Sequence, residues 1–166
     1  MEEVGFWRKS DADPADLRPH PQALQDKTWY MENKGTARQL IAYVRYAGCV
    51  ESYEMGYSFC RIDPSCPSKV MGACTLTDGV YCWPEGYAHY LEQHHVRPPE
   101  VFLAHVLSRP VPSTAPKSGL LMWDFTEKQP VQMPAAMQEM VLANTTLTLD
   151  GGPSTSSPAT ATCVLL

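Results

Sequence analysis

The sequence contains no apolar run that approaches the roughly 20 residues a helix needs to cross a bilayer. The first residues, 1–8, include two glutamates and lack the apolar core of a secretory signal peptide. Glu2 occupies the position at which N-myristoylation requires glycine. From these absences we expect a chain that stays in the cytosol or nucleus unless another signal directs it elsewhere.

Basic residues are also scarce, because 13 Lys and Arg stand against 18 Asp and Glu, for a formal net charge of −5. An acidic surface repels phosphate backbones, and no local cluster of Lys or Arg overcomes this repulsion. We therefore expect no nucleic-acid binding. The same acidity gives no electrostatic help in binding an anionic membrane surface.

The cysteines number six, and an odd number remains when Cys163 near the C-terminus is set aside. An odd count argues against a framework of disulfides. In a reducing compartment we expect these residues to be thiols, metal ligands or lipid attachment points. The remaining cysteines are Cys49, Cys60, Cys66, Cys74 and Cys82.

Local patterns predict the secondary structure of the middle of the chain. A capping-box pattern at Thr36–Gln39 precedes helical spacing, and Asp78-Gly79 is typical of a tight hairpin turn. Proline followed by a carboxylate, at Pro84 and again at Pro98–Glu100, is typical of helix starts. The predicted elements are a helix over 37–47, a strand over 53–59, a hairpin of 70–77 with 80–83, helices over about 84–95 and 98–106, and a further helix over 134–143.

These elements predict an α+β fold with a small antiparallel sheet of about three strands, about three helices and a disordered C-terminal tail. The prolines, 15 in number, are more than a compact domain of this size carries. The expected divisions are an N-terminal arm at 1–27, a small α+β domain at 28–108, a partly ordered extension at 109–149, and a flexible tether with a prenylation box at 150–166.

The last four residues, Cys163, Val164, Leu165 and Leu166, match the CaaX pattern, and a terminal leucine favours geranylgeranyl over farnesyl. In these four residues the chain resembles geranylgeranylated small GTPases and similar anchored proteins, although it has no phosphate-binding loop of the GTPase kind. The resemblance implies a prenyl group on Cys163. The protein would then lie on the cytoplasmic face of a membrane, with a cytosolic pool.

A single lipid chain anchors reversibly, because stable anchoring generally takes two signals. No second signal accompanies Cys163, since Lys117 and Lys128 are the only basic residues between Pro110 and the box. We therefore expect a protein partner or escort. The predicted function is a prenylated peripheral membrane adaptor or regulatory protein that acts through protein–protein contacts.

Two cysteines and two histidines in the middle of the chain suggest a metal site. Cys60 and Cys66 bracket a proline-containing loop, and His89 and His94, or His95, lie in the predicted helix that follows the hairpin. Two thiolates and two imidazoles are the donors of a Cys₂His₂ zinc site. The alternative function is therefore a small binding module stabilised by zinc.

The spacing of these residues departs from standard zinc sites. The cysteines are farther apart than the usual two to four intervening residues, and positions 89 and 94 share a helix face only if the last turn tightens. Cys74 and Cys82 offer alternative ligands. The cysteines are equally well explained as small core residues, and the histidines as residues that favour helix C-termini.

The run Thr77–Tyr90 resembles a segment of small, functionally uncharacterised proteins with the pattern TDG-x-Y-x-WPEG-x-AHY, and the likeness extends over about 56–102. The resemblance implies a common fold unit and no known activity. It also implies a closely spaced cysteine pair near Cys60, whereas this chain has the more distant Cys66.

A third hypothesis is a thiol-dependent enzyme in which His89 would activate Cys82. No other feature supports catalysis, and we expect none.

The aromatic group Tyr81, Trp83, Tyr87 and Tyr90 has two interpretations. It either packs in the core or forms an exposed surface that recognises a protein partner.

Overall fold

The computed structural model describes residues 1–8, 15–110, 119–147 and 149. Within these residues the strands are β1 Glu2–Glu3, β2 Cys49–Tyr53, β3 Cys74–Thr77, β4 Tyr81–Pro84, β5 Leu121–Asp124 and β6 Gln129–Gln132. The α-helices are α1 Lys27–Glu32, α2 Lys34–Tyr46, α3 Tyr87–His94, α4 Glu100–Leu107 and α5 Ala135–Asn144. The predicted tether and the prenylation box at 150–166 lie outside the described residues.

The six strands form one mixed sheet in the order β1-β4-β3-β2-β5-β6. β2, β3 and β4 pair antiparallel, while β1 pairs parallel with β4 and β5 pairs parallel with β2. The prediction of a small, three-stranded antiparallel sheet with about three helices is therefore wrong. The fold is α+β, with a larger mixed sheet and five α-helices among the described residues.

The additional strands carry weak local signals. β1 and β5 join the sheet through non-local pairing, whereas β6 pairs with β5 in a local hairpin. β1 consists of two glutamates, and its partner is Tyr81–Cys82. β6 contains Pro130, which an edge strand tolerates because a ladder bond is needed on one side only. β5 joins the sheet where Met122 lies beside Val50.

The predicted helix over 37–47 corresponds to α2, which begins earlier, at Lys34. Thr36 therefore lies inside the helix and does not cap it. Gly48 lacks the positive φ of a C-cap glycine. It is needed for a different reason, since a Cβ there would lie 2.8 Å from Cζ2 of the buried Trp83.

The predicted strand over 53–59 is wrong, because the strand in this region ends at Tyr53. The Glu54 N–H still donates to the Ala73 carbonyl, at 2.7 Å, but strand pairing then stops. The side chains that alternation assigned to a buried face are largely in solvent, with Met55 99% and Phe59 66% exposed. Residues 54–73 form a long connection between β2 and β3, which contains one short 3₁₀ helix, Ser68–Met71.

The predicted hairpin is present as β3 and β4, with its turn displaced by one residue. The Asp78 N–H donates to the Tyr81 carbonyl, so Gly79 and Val80 are the central residues of the turn. Gly79 has φ +89°, which suits the first central position of a two-residue hairpin turn. Pro84 ends β4 and does not start a helix, and α3 begins only at Tyr87.

Helix α2 contacts both α3 and α4 over the main hydrophobic core. A second, smaller cluster lies apart from this core and contains Cys60, Met71, Tyr90 and Val96. It packs the β2–β3 connection onto α3. None of the described helices has the length and apolar character needed to cross a membrane.

Candidate metal centre

Four side chains, Cys60, Cys66, His89 and His94, come together between the β2–β3 connection and α3. Their ligand atoms all lie within 4.8 Å of one another. Nε2 of His94 lies at the middle of the group, 3.1 Å from Nε2 of His89, 3.2 Å from Sγ of Cys60 and 3.7 Å from Sγ of Cys66. We call these four residues the Cys/His cluster. Across 1–8, 15–110, 119–147 and 149, no second group of this kind comes together.

The long cysteine spacing is accommodated by a turn inside the loop. The Cys66 N–H donates to the Asp63 carbonyl, at 3.2 Å, and reverses the chain direction. The Asp63 carboxylate fixes this turn by accepting from the Ser65 N–H at 2.8 Å and from the Ser65 hydroxyl at 2.7 Å. Pro64 occupies the position at which such a turn favours proline. The turn therefore brings Cys66 back towards Cys60 despite the residues between them.

The histidines share a face because the last turn of α3 is wide. The N–H of His95 bonds to the Tyr90 carbonyl, five residues back, in place of the usual four. A turn of this π type holds more residues, so positions five apart approach the same face. From the sequence we expected the two histidines to share a face only if the last turn were tighter, whereas the turn in the structure is wider. His95 then adopts a left-handed conformation with φ 54° and leaves the cluster side.

Hydrogen bonds and burial hold the cysteine end of the cluster in place. The Asp63 N–H donates to Sγ of Cys60, at 3.4 Å, which is favourable for a thiolate. The Tyr90 hydroxyl accepts from the Arg61 N–H, at 2.8 Å, beside the same cysteine. Cys60 is buried, whereas the other three members of the cluster are half-buried. The donor atoms therefore sit at the edge of the protein and not deep in its core.

Burial lowers the pKa of His89 and of His94, and for His89 the neighbouring His94 adds to the effect. Both imidazoles are therefore neutral at neutral pH, which is the form that binds metals. Burial, followed by the effect of the adjacent Cys60, raises the pKa of Cys66 to about 11. A cation at the centre of the cluster would reverse this effect by favouring the thiolate.

Compared with known proteins, the chain matches no family model, no curated protein and no solved structure. The chemistry of the cluster must therefore be inferred from its own donor atoms. Two soft sulfur donors and two imidazole nitrogens in this arrangement are compatible with a metal ion such as zinc.

The alternative ligands named from the sequence lie elsewhere. The ring of His95 packs against Tyr30, with centroids 5.2 Å apart. Cys74 is buried in β3, where burial, followed by Glu85, raises its pKa to about 12. Cys82 lies in β4 between β1 and β3. The structure thus brings together one of the ligand sets that the sequence left open.

The proposed thiol enzyme has little chemical support in this structure. A catalytic thiol needs a lowered pKa, whereas burial, followed by the charges of Glu3 and Glu51, raises the pKa of Cys82. His89, its proposed base, faces His94.

The aromatic group divides between the core and its margin. Trp83, Tyr87 and Tyr90 are at most 1% exposed, and Tyr81 is half-buried against Phe102 and His105. The three buried rings are therefore core residues and offer no surface to a partner.

Two carboxylates, Glu85 and Asp78, bind distant parts of the chain in ways that their local sequence patterns do not predict. Glu85 accepts hydrogen bonds from the backbone of Ala73 and Cys74, at 2.9 and 3.2 Å, and from both the backbone and the hydroxyl of Thr146. Asp78 accepts from Tyr43 and His105, both at 2.6 Å. Local patterns assigned Asp78 to a turn and Glu85 to a helix start. Tyr43, His105 and Thr146, which bind these carboxylates, come from distant parts of the chain.

Proposed function

We propose that the Cys/His cluster binds one zinc ion, and that this ion stabilises a small protein-binding module. The convergence of the four ligand atoms within 4.8 Å is the observation that carries the proposal. Zinc takes two cysteines and two histidines readily, and such sites contribute folding energy directly.

The distances within the cluster agree with a tetrahedral ion. With Zn–N near 2.05 Å and Zn–S near 2.3 Å, tetrahedral geometry separates two nitrogens by about 3.3 Å, a nitrogen from a sulfur by about 3.6 Å and two sulfurs by about 3.8 Å. The His89–His94 nitrogens are 3.1 Å apart. The two sulfur–nitrogen distances from His94 are 3.2 and 3.7 Å. The remaining pairs of donor atoms lie within 4.8 Å, so shifts of no more than roughly 1–1.5 Å would place all four atoms around one ion.

The same compactness favours a mononuclear site over an iron–sulfur cluster. A two-iron centre with two cysteines and two histidines holds the cysteines on one iron and the histidines on the other. In such a centre the cysteine sulfurs and the histidine nitrogens bind different irons and therefore lie apart. Here Nε2 of His94 lies close to both cysteine sulfurs. Four protein donors also complete a tetrahedral shell, which is typical of structural zinc and not of catalytic zinc.

The ion would stabilise the part of the fold that has the least structure of its own. The β2–β3 connection, residues 54–73, exceeds the roughly 12–15 residues beyond which loops without their own structure become uncommon. It contributes Cys60 and Cys66, and α3 contributes the two histidines. Zinc would therefore fasten this connection to a helix of the main core, in addition to the small apolar cluster around Tyr90.

Exposed apolar side chains on the β2–β3 connection support a role in binding a protein partner. Met55 is 99% exposed and Phe59 is 66% exposed, and both precede the first metal ligand. Exposed apolar side chains on a loop of fixed shape are suited to contacting a protein partner. This interpretation needs no catalytic group.

The test is the zinc content of the purified full chain, measured beside two single variants. Cys60→Ser should lose stoichiometric zinc, while Cys82→Ser, a matched cysteine outside the cluster, should retain it. Less than stoichiometric zinc in the unaltered chain after loading with zinc would overturn the proposal. So would full retention by Cys60→Ser.

Prenylation of Cys163 is a separate proposal, which the zinc centre neither requires nor opposes. The motif Cys163–Leu166 supports it, together with a peripheral membrane position and a protein escort. The change Cys163→Ser should shift the protein from the membrane fraction to the soluble fraction of cells. An unchanged distribution would refute it.

A further inference from the structure

We propose that Cys60 and Cys66 are also a redox-sensitive dithiol, which a peroxide oxidises to an intramolecular disulfide with release of the zinc ion. This inference rests on the proposed zinc site and adds a covalent modification to it. The two sulfurs lie within 4.8 Å of each other, and both are free thiols.

The loop between Cys60 and Cys66 already contains a turn that brings its two ends together. The hydrogen bond from Cys66 to the Asp63 carbonyl reverses the chain between the two cysteines. The Asp63 side chain, bonded to Ser65, holds this turn in place. Joining the sulfurs would therefore close a short, pre-bent loop, and little chain entropy is lost in the step.

The pair differs in exposure in the way that a sensor requires. Cys66 is half-buried and lines a cavity of about 1170 Å³ together with Asp63, His89, Glu92, Gln93 and His94. Cys60 is only 7% exposed. A small oxidant can thus reach Cys66 first, while Cys60 is sheltered behind it as the resolving thiol.

The chemistry balances with a peroxide as the oxidant. The Cys66 thiolate, which a bound zinc ion would keep deprotonated, attacks hydrogen peroxide; the O–O bond breaks, and Cys66 sulfenic acid and hydroxide form. The Cys60 thiolate then attacks the Cys66 sulfur, the S–O bond breaks and a second hydroxide leaves. Two protons from water or buffer neutralise the two hydroxides. Two electrons have passed from sulfur to oxygen, and the zinc ion has lost two of its four ligands.

The remaining described cysteines are poorly placed to compete. Cys49 and Cys74 are buried, and both contribute to the sheet. Cys82 is half-buried in β4, outside the Cys/His cluster. Among the cysteines that the structure describes, oxidation should therefore give one disulfide, between Cys60 and Cys66.

The test treats the zinc-loaded full chain with hydrogen peroxide and measures two quantities together. A chromogenic chelator reports released zinc, and mass spectrometry of peptides reports the cysteine pairing. We expect one zinc released for each Cys60–Cys66 disulfide formed, and recovery of zinc binding after reduction by a dithiol. Cys82→Ser should behave identically.

Other outcomes would contradict the inference. Zinc retained with intact thiols would overturn it, and so would zinc release that accompanies a different disulfide or only sulfinic and sulfonic acids. Zinc content is measured before the oxidant is added. A chain that takes up no zinc at that stage would therefore refute the zinc site itself, whereas failure after loading would refute only the redox step.

Discussion

Nε2 of His89 and Nε2 of His94 lie 3.1 Å apart, although an ideal α-helix would turn these two positions well away from each other. The bond from the His95 N–H to the Tyr90 carbonyl, five residues back, makes the turn that ends α3 wider than an ordinary α-turn and reduces this difference. The two imidazoles then face the same cysteine pair. The candidate metal centre therefore depends on a local irregularity at the end of α3.

Replacement of a cluster histidine should remove the metal, while replacement of its neighbour should not. In His94→Asn, the loss of a first ligand should weaken zinc affinity by more than the roughly 10- to 100-fold that removal of an outer partner costs. His95→Asn should bind zinc as the unaltered chain does, because asparagine tolerates the left-handed conformation at this position. Competition titration against a chelator of known affinity measures both. Equal affinities in the two variants would contradict the assignment.

Removal of zinc should loosen the β2–β3 connection before the rest of the fold. Trypsin can cleave this connection after Arg61 and Lys69, and after chelation we expect cleavage there at least about tenfold faster, which corresponds to about 1.4 kcal/mol of lost local stability. Cleavage after Arg38, inside α2, is the internal control and should change little. Timed digestion with mass spectrometry gives both rates. A uniform increase at all sites would indicate that zinc stabilises the whole core instead.

Glu85 should contribute strongly to stability through its buried carboxylate. Glu85→Ala would leave the N–H groups of Ala73 and Cys74 without their acceptor, at a cost of about 1–3 kcal/mol for each buried group. Gly72→Ala should also destabilise the fold, because a Cβ at this positive φ would collide with the same carboxylate. Urea unfolding measures both changes. The exposed Glu32→Ala is the matched control and should be close to neutral.

Asp78 should make the fold sensitive to acid. Burial raises the pKa of Asp78, but hydrogen bonds from Tyr43, the Tyr81 N–H and His105 outweigh burial and hold the pKa below its ordinary value of 3.8. A lowered pKa in the folded state means that the carboxylate stabilises the fold above about pH 4. This contribution is lost as the pH falls through the folded-state value.

The variant Asp78→Asn isolates this contribution. It should cost about 1.5–3 kcal/mol at pH 7, because the hydrogen bonds to a charged acceptor are lost. It should also flatten the fall in stability between pH 5 and about pH 2. Urea unfolding of both proteins across this pH range measures the difference. The groups that face the Asp78 carboxylate are His105 and Tyr43, and Arg109 lies near Tyr43. Parallel pH profiles for the two proteins would contradict this role.

Helices α2, α3, α4 and α5 were predictable from sequence because their signal is local, whereas the short α1 was missed. In α2, Leu40, Tyr43 and Val44 recur at helical spacing and are all buried. Strand pairing in this fold is largely non-local, as in the parallel contact between Val50 and Met122. No short window of sequence contains both partners, so β1 and the joining of β5 to the sheet were missed. β6 forms a local hairpin with β5, but its sequence at Gln129–Gln132 is mostly polar and exposed and gives little strand signal.

The Cys/His cluster was also predictable only in part, because its donor residues are visible in the sequence and their convergence is not. Donor chemistry identified Cys60, Cys66, His89 and His94 as one candidate set, because sulfur and imidazole are the preferred ligands of zinc. Their convergence depends on the turn at Asp63 and the wide turn that ends α3. Neither has a periodic signature, and regular helix geometry argued against the pair of histidines.

The proposed zinc site requires four donor atoms that surround a single ion, and the absorption spectrum of bound cobalt tests this arrangement directly. The zinc-free full chain, titrated anaerobically with Co²⁺, should develop thiolate-to-cobalt charge-transfer absorption and the intense visible bands of tetrahedral cobalt. Both should saturate at one equivalent and disappear when zinc is added. A weak octahedral spectrum without charge transfer, or absorption that never saturates, would contradict the proposed centre.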